Sequence, residues 1–311
     1  MNNQPFEVLC NTGDEESWLR KRNGGIGASE IAIVLGVSKW ASVLELYARK
    51  IGEDTPEHED HELMLWGRLL EPAIRDELAR RAGVTLLEAP PRLLRSKEIE
   101  WAIATPDALT VNWIPVEVKN LCHGYDEAEW AQGIPEQYYL QCHHQMLVTG
   151  APRCLFGALL WGGRLVWEWV DRDEMTIRKI VHAGNKFWFE HVVPQTPPPS
   201  DGHPNARKVL ALQATDEEPV ELFEAECGNL FERYEAAKAA HEAAAAAEKK
   251  AKRQLEATKD DIAQELGGHR AGFTATGWRM HWKTSERRGY TVEPTAVHSF
   301  KIEKEKLKHH G

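Results

Sequence analysis

The chain is 311 residues long, 42% hydrophobic and 28% charged, with 12 Trp. At about 100–200 residues per domain this is one large domain or two, with enough apolar side chain for a core, which excludes a disordered or collagen-like chain. The net charge of −10 argues against a protein that coats nucleic acid. That charge is uneven: residues 268–311 carry nine Lys/Arg against four Asp/Glu, so an acidic body, suited to a carboxylate-rich metal site, precedes a basic tail.

No apolar run approaches the roughly 18 residues of a membrane span. The N-terminal stretch MNNQPFEVLCNTGDEES has neither the basic flank nor the apolar centre of a secretory signal, so a cytoplasmic protein is expected. Five scattered cysteines make neither a disulfide framework nor a Cys-x-x-Cys metal knuckle.

Residues 17–50 read as helical, with Ser17 as an N-cap and a second helix starting near Ser29 after the glycine-rich GGIGASE. Residues 62–82 form another helix, with Leu63, Trp66, Leu70, Ile74 and Leu78 on one face and a kink or restart expected at Pro72. Short strands follow at 84–88, 92–95, 101–105, 108–111 and 114–121, separated by Pro, Asp and Asn turn signals. Residues 135–149 read as a helix opened by Pro135 and closed by Gly150. Residues 154–160 and 164–170 form a hairpin around Gly162-Gly163, and Asp173–Val192 is a further amphipathic helix. The order predicts an α/β (α+β) layer fold with a mixed central sheet flanked by helices.

The Pro-rich stretch 194–205 reads as a domain boundary, separating residues 1–195 from an accessory part, 196–311. Beyond it, about 216–266 is one long Ala/Glu/Lys helix stopped by Gly267-Gly268, and a basic, aromatic hairpin turns near Gly277.

The chemistry concentrates in Thr105-Pro106-Asp107 and Val116-Glu117-Val118-Lys119. Glu117 and Lys119, two apart on a strand, share one face, while Val116 and Val118 point into the core. Where two such strands meet, a carboxylate from each lies beside one ammonium, an arrangement expensive to bury without a shared partner. A hard divalent cation is that partner, because Mg²⁺ takes carboxylate oxygens. Taken alone, these three positions equally describe a solvated pair on an exposed strand plus a turn aspartate. Context narrows the choice. Glu71 lies on the preceding helix, Gln137, Gln141 and Gln145 fall on one polar face of the next, and Arg22 precedes the Ser29 helix start, where free N–H groups suit a phosphate.

Five elements in this order resemble the YqaJ-like viral recombinase family, similar to the phage lambda exonuclease within the P-D…(D/E)-x-K nuclease superfamily. They are Arg22 with Gly27-Ala28-Ser29-Glu30, Gly67–Pro72, the Thr-Pro-Asp strand, the Glu-Val-Lys strand, and the glutamine helix with Tyr138. The resemblance covers about residues 15–195. It implies a restriction-endonuclease-like core and a double-strand DNA exonuclease. Such an enzyme degrades one strand 5′ to 3′ from DNA ends for phage-type recombination. It implies two Mg²⁺ ions per site, with Mn²⁺ substituting, held by Glu71, Asp107, Glu117 and the Val118 carbonyl. Lys119 is then the catalytic lysine, Gln141 the helix glutamine of the site, Tyr138 and Gln137 its weaker neighbours, and Arg22 and Ser29 the 5′-phosphate contacts. A ring-like trimer or tetramer and a single-strand annealing protein partner are implied by the same resemblance. A restriction- or nicking-type endonuclease with these residues, and a non-catalytic DNA-end-binding scaffold built on the Ala-rich helix, are the alternatives.

Overall fold

The computed structural model describes residues 4–281 except 14, 54–61, 90–91, 122–129, 131, 161–162, 214–227 and 276–277. It divides into two units, Met1–Ala214 and Thr215–Gly311.

The first unit begins with a strand that sequence reasoning did not find, β1 (Phe6–Asn11), followed by α1 (Glu15–Arg22), a four-residue α2 (Ile31–Val34) and α3 (Val43–Ile51). Ser17 therefore lies inside α1 rather than capping it, and the helical region expected over 17–50 is three separate helices. Glycines and Ser/Trp loops separate them. The cap falls instead on α3, where the Ser42 hydroxyl accepts from the Glu45 N–H at 2.9 Å.

Next comes α4 (Glu62–Ala82), which runs through Pro72 without restarting. Proline removes the N–H that would reach the Arg68 carbonyl. Packing of Ile74 and Leu78 against Val116, Val118 and Leu155 holds the helix across the gap. The strands β2 (Arg92–Ser96), β3 (Ile103–Ala104), β4 (Ala108–Leu109) and β5 (Pro115–Leu121) follow. Residues 84–88 do not form a strand of their own; Leu86 makes a single antiparallel bridge to Thr110.

Then come α5 (Glu136–Thr149), β6 (Arg153–Leu160), β7 (Arg164–Asp171) and α6 (Glu174–Phe187), which passes into a π-turn at Trp188–Val192. β1-β2-β3 form an antiparallel sheet, and β4-β5-β6-β7 form the mixed sheet expected from the sequence. Within the mixed sheet β5 and β6 run parallel, as a crossover through α5 requires, and its other described pairs are antiparallel. One core cluster joins α2, α3, β2, β3 and α6 around the fully buried Trp101. Another joins α4 to the inner face of β5, where Val116 and Val118 point as predicted.

The Pro-rich stretch does not separate two bodies. After it, α7 (Pro204–Gln213) returns to the first unit and buries Ala206 and Val209 in its main cluster. Asp201 accepts from the Val43 N–H at 3.0 Å, and Asn205 donates to Glu45 at 2.9 Å, so α3 holds the segment at both ends. The expected boundary at 195/196 therefore moves to Ala214/Thr215, because apolar positions on α7 complete a core that residues 1–195 leave open.

The second unit contains α8 (Leu230–Glu265), 36 residues with none buried. Residues 214–227, where its start was expected, lie outside the described residues. Gly267 and Gly268 end it with φ of 55° and 85°, a left-handed backbone that glycine adopts without strain. The basic hairpin follows as β8 (Ala271–Phe273) paired with β9 (Arg279–His281). Gly277, Trp282 and the basic residues beyond lie outside the described residues.

Candidate active site

Asp107 stands in the turn between β3 and β4, and its Oδ2 accepts from the Val118 N–H at 2.7 Å. That bond draws the Pro-Asp turn onto β5. Glu117 is 1% exposed, which removes the alternative of a solvated strand pair. Its Oε1 accepts from Gln141 Nε2 at 2.6 Å and from Lys119 Nζ at 2.5 Å. Its Oε2 accepts from Gln145 Nε2 at 2.5 Å. The Lys119 ammonium also lies 5.6 Å from the centre of the Tyr138 ring. Glu71 reaches the same place from α4, whose Trp66 carbonyl accepts from Asn120 Nδ2 at 3.3 Å.

Three carboxylates facing one lysine leave excess negative charge. Burial pushes Asp107 well above the usual carboxylate range, and Glu117 and Glu71 push it further, against Lys119. Burial and then Glu117 likewise raise Glu71. Burial alone lowers the Lys119 ammonium, but Glu117 and Asp107 outweigh it and hold it above its ordinary range.

A second group of residues meets this one through the backbone. Ile26 N–H donates to the Trp101 carbonyl at 2.6 Å and Ile103 N–H to the Ile26 carbonyl at 3.1 Å. This parallel bridge seats the glycine-rich segment beside the strand that leads into Asp107. It also explains Gly25, whose missing Cβ would stand 2.6 Å from the Trp101 carbonyl oxygen. Arg22 consequently faces the cleft with Ser29, its Nη2 donating to the Ser29 hydroxyl at 3.3 Å, and its guanidinium 5.1 Å from the Trp18 ring.

Arg22, Ser29, Glu71, Asp107, Glu117, Lys119 and Gln141 all line one cleft of about 380 Å³. Tyr138 and Val118 are not among the described residues that line it; each touches one that is, Tyr138 through the Lys119 ammonium and Val118 through its N–H to Asp107. Gln137, half-buried on the first turn of α5, is not among the described residues that line it. The structure corrects one expectation. Ser29 does not open a helix that could present free N–H groups to an anion, because α2 has only four residues and begins at Ile31.

Sequence reasoning saw Gln145 only as part of a polar helix face. It is fully buried and grips the oxygen of Glu117 that Gln141 leaves. Its spacing, one turn beyond Gln141, was the available signal. Arg68, three residues before Glu71 on α4, also lines the cleft. The adjacent His143 and His144 diverge, the first to the Tyr139 carbonyl and Asp173 N–H, the second to the Ile103 carbonyl. Among the described residues, no three of His, Cys, Asp and Glu converge closely enough to cage a metal ion as they stand; Glu71, Asp107 and Glu117 line one cleft without closing on a single point.

Residues 17–152 match the YqaJ-like viral recombinase domain. The uncharacterized protein YqaJ of Bacillus subtilis (strain 168) is 29% identical over 223 residues, 70% of this chain and 70% of that protein. Among solved structures, an alkaline exonuclease (LHK-Exo) from Laribacter hongkongensis is similar with a TM-score of 0.48 and 24% identity, over 64% of this chain and all of that one. A phage related exonuclease from Haemophilus somnus 129PT is similar with a TM-score of 0.43 and 15% identity, over 55% of this chain and 96% of that one.

Proposed function

From the match of residues 17–152 to the YqaJ-like viral recombinase domain, we propose that the chain is a Mg²⁺-dependent exonuclease that degrades one strand of duplex DNA from its 5′ end. The observation that carries this reading is the single cleft shared by two kinds of group. One kind, Glu71, Asp107, Glu117 and Lys119, suits hydrolysis of a phosphodiester. The other, Arg22 with Ser29, suits a terminal phosphate, whose charge exceeds that of an internal one.

The donor set fits hard divalent ions. It offers three carboxylates, of which Glu71 and Asp107 are raised first by burial and then by the charge of Glu117, an unfavourable state that a cation relieves. Glu71, Asp107, Glu117 and the Val118 carbonyl would hold two Mg²⁺, or Mn²⁺. When bound, such ions polarise the scissile phosphate and supply a nucleophilic water. Lys119 offsets charge that develops on the phosphate oxygens. Gln141 keeps the Glu117 carboxylate turned toward the cleft, and Tyr138 confines the lysine. Arg22 and Ser29 seat the 5′ end so that the cut falls near it. DNA ends are the substrate; an oligomer of this chain and a single-strand annealing protein are the proposed partners. Among the described residues, no helix is long and apolar enough to cross a membrane.

The test incubates linear and covalently closed duplexes, with 5′-phosphate or 5′-hydroxyl ends, in Mg²⁺ or EDTA, and follows nucleotide release. Mg²⁺-dependent degradation of linear DNA from its 5′ ends is expected. Cleavage of closed circles would mean an endonuclease, and binding to ends without cleavage a scaffold.

A further inference from the structure

Beneath the Arg22–Ser29 wall lies a buried ion pair that the hydrolytic residues do not touch. The side chain of Lys50, on α3, is 0% exposed and that of Glu30 only 4%, and Nζ stands 2.7 Å from the Glu30 Oε2. The pair is tied to the wall on every side. Lys50 Nζ also donates to the Arg22 carbonyl at 3.1 Å, and Glu30 Oε2 accepts from the Gly27 N–H at 2.8 Å. Glu30 Oε1 lies 3.5 Å from Arg22 Nη2. Arg22, with 28% of its side chain exposed, is the member of the triad that opens to the cleft.

We infer that Lys50 is a positioning residue that sets the preference for 5′-phosphorylated ends, by neutralising Glu30 so that the positive charge of Arg22 stays available to a terminal phosphate. This rests on the reading of Arg22 and Ser29 as the end-binding wall. Two cations and one anion leave that wall a net +1. Without Lys50, Glu30 and Arg22 form a neutral pair, and a phosphate dianion meets no net charge while still losing its water. Glu30 is ionised throughout the working range: burial pushes its carboxyl up, but Lys50 and Arg22 outweigh this and hold it at about 2. A pair serving packing alone would need no third charge at the cleft and no bond to the Arg22 carbonyl.

The experiment measures the ratio of affinities for 5′-phosphoryl and 5′-hydroxyl duplex ends in EDTA, by fluorescence anisotropy, alongside the same ratio for cleavage in Mg²⁺. Lys50→Met is expected to lower both ratios about tenfold or more, the scale of one lost charge-assisted contact. The double variant Glu30→Gln/Lys50→Met removes both buried charges, leaves Arg22 at +1, and is expected to recover the preference. Glu30→Gln alone is expected to keep it. An unchanged ratio in Lys50→Met overturns the inference. So does a double variant that folds, by its thermal unfolding, yet loses the preference, since the pair would then be merely structural. If Lys50→Met does not fold, the other two variants decide, and loss of preference in either overturns it. A wild-type protein that degrades linear DNA without any 5′-phosphate preference overturns the end-binding wall itself, and this inference with it.

Discussion

Gln145 and Glu117 are joined at 2.5 Å, side-chain amide to carboxylate, with both residues buried. The bond runs from the middle of α5 to the strand that carries Lys119, and it leaves Oε1 of Glu117 to Gln141 and Lys119. The two glutamines thus fix the carboxylate in one plane before any substrate arrives. Gln145 is fixed in turn by the Cys154 thiol, which donates to its Oε1 at 3.7 Å.

From this follows a first prediction. Gln145→Met keeps the volume but frees Oε2 of Glu117, leaving a buried carboxylate oxygen without its donor. The expected loss is about 10–100-fold in activity, the usual cost of removing a group that orients a ligand. Steady-state hydrolysis across a Mg²⁺ titration checks it, and wild-type activity at every Mg²⁺ concentration contradicts it.

Asp107→Asn should separate stability from activity. Burial and Glu117 make the ionised carboxylate unfavourable in the native state, as its raised pKa states. Asparagine still accepts from the Val118 N–H but carries no charge. In EDTA at neutral pH the variant should therefore melt higher than the wild type, by about 2–4 °C for each kcal/mol relieved. It should not cut DNA. Thermal unfolding with and without Mg²⁺ measures this; a lower Tm in EDTA would show that the carboxylate stabilises the fold.

Lys119→Ala should spare DNA binding and lose roughly 10²–10⁴ in the chemical step. Single-turnover rates, compared with binding isotherms in EDTA, separate the two effects. If binding collapses while the rate per bound complex holds, Lys119 is a DNA contact only.

The ion pair beneath Arg22 also predicts an acid dependence. The Glu30 carboxyl titrates near 4.5 in an ordinary setting and at about 2 in the folded chain. Its contribution to stability is fully present above about 4.5 and is lost as pH falls toward about 2, because the unfolded chain takes up the proton first. Urea unfolding at pH 7, 4.5 and 3 should show a shallower loss for Glu30→Gln/Lys50→Met than for the wild type. Parallel curves would remove Glu30 as a source of acid sensitivity.

Two truncations test where the first unit ends. A chain stopped at Ser200 loses Asp201, Asn205 and the buried Ala206 and Val209, and should be destabilised or insoluble. A chain stopped at Ala214 keeps them and should stay folded and active. Equal solubility and activity of the two would restore the boundary to the Pro-rich stretch.

What the sequence determined by itself is the local chemistry. Alternation put Val116 and Val118 inward and Glu117 with Lys119 on the other face, and Gly150 and Gly267-Gly268 marked helix ends, because periodicity and backbone freedom act over a few residues. The spacing of Asp107, Glu117 and Lys119 was legible for the same reason, while Glu71 and Gln141 were added to them as site residues only by the family resemblance. Tertiary structure decided what distant segments do to one another. Ile26 pairs with Ala102, and that bridge seats the segment of Arg22 and Ser29 beside the cleft of Asp107. Lys50 meets Glu30 across a loop whose conformation no local pattern encodes. Proline composition suggested a boundary, but the apolar face of α7 finds its partner on α3, and burial of that face outweighs the linker signal. Gln145 reads as one more polar residue on a helix until folding places a carboxylate 2.5 Å from its amide.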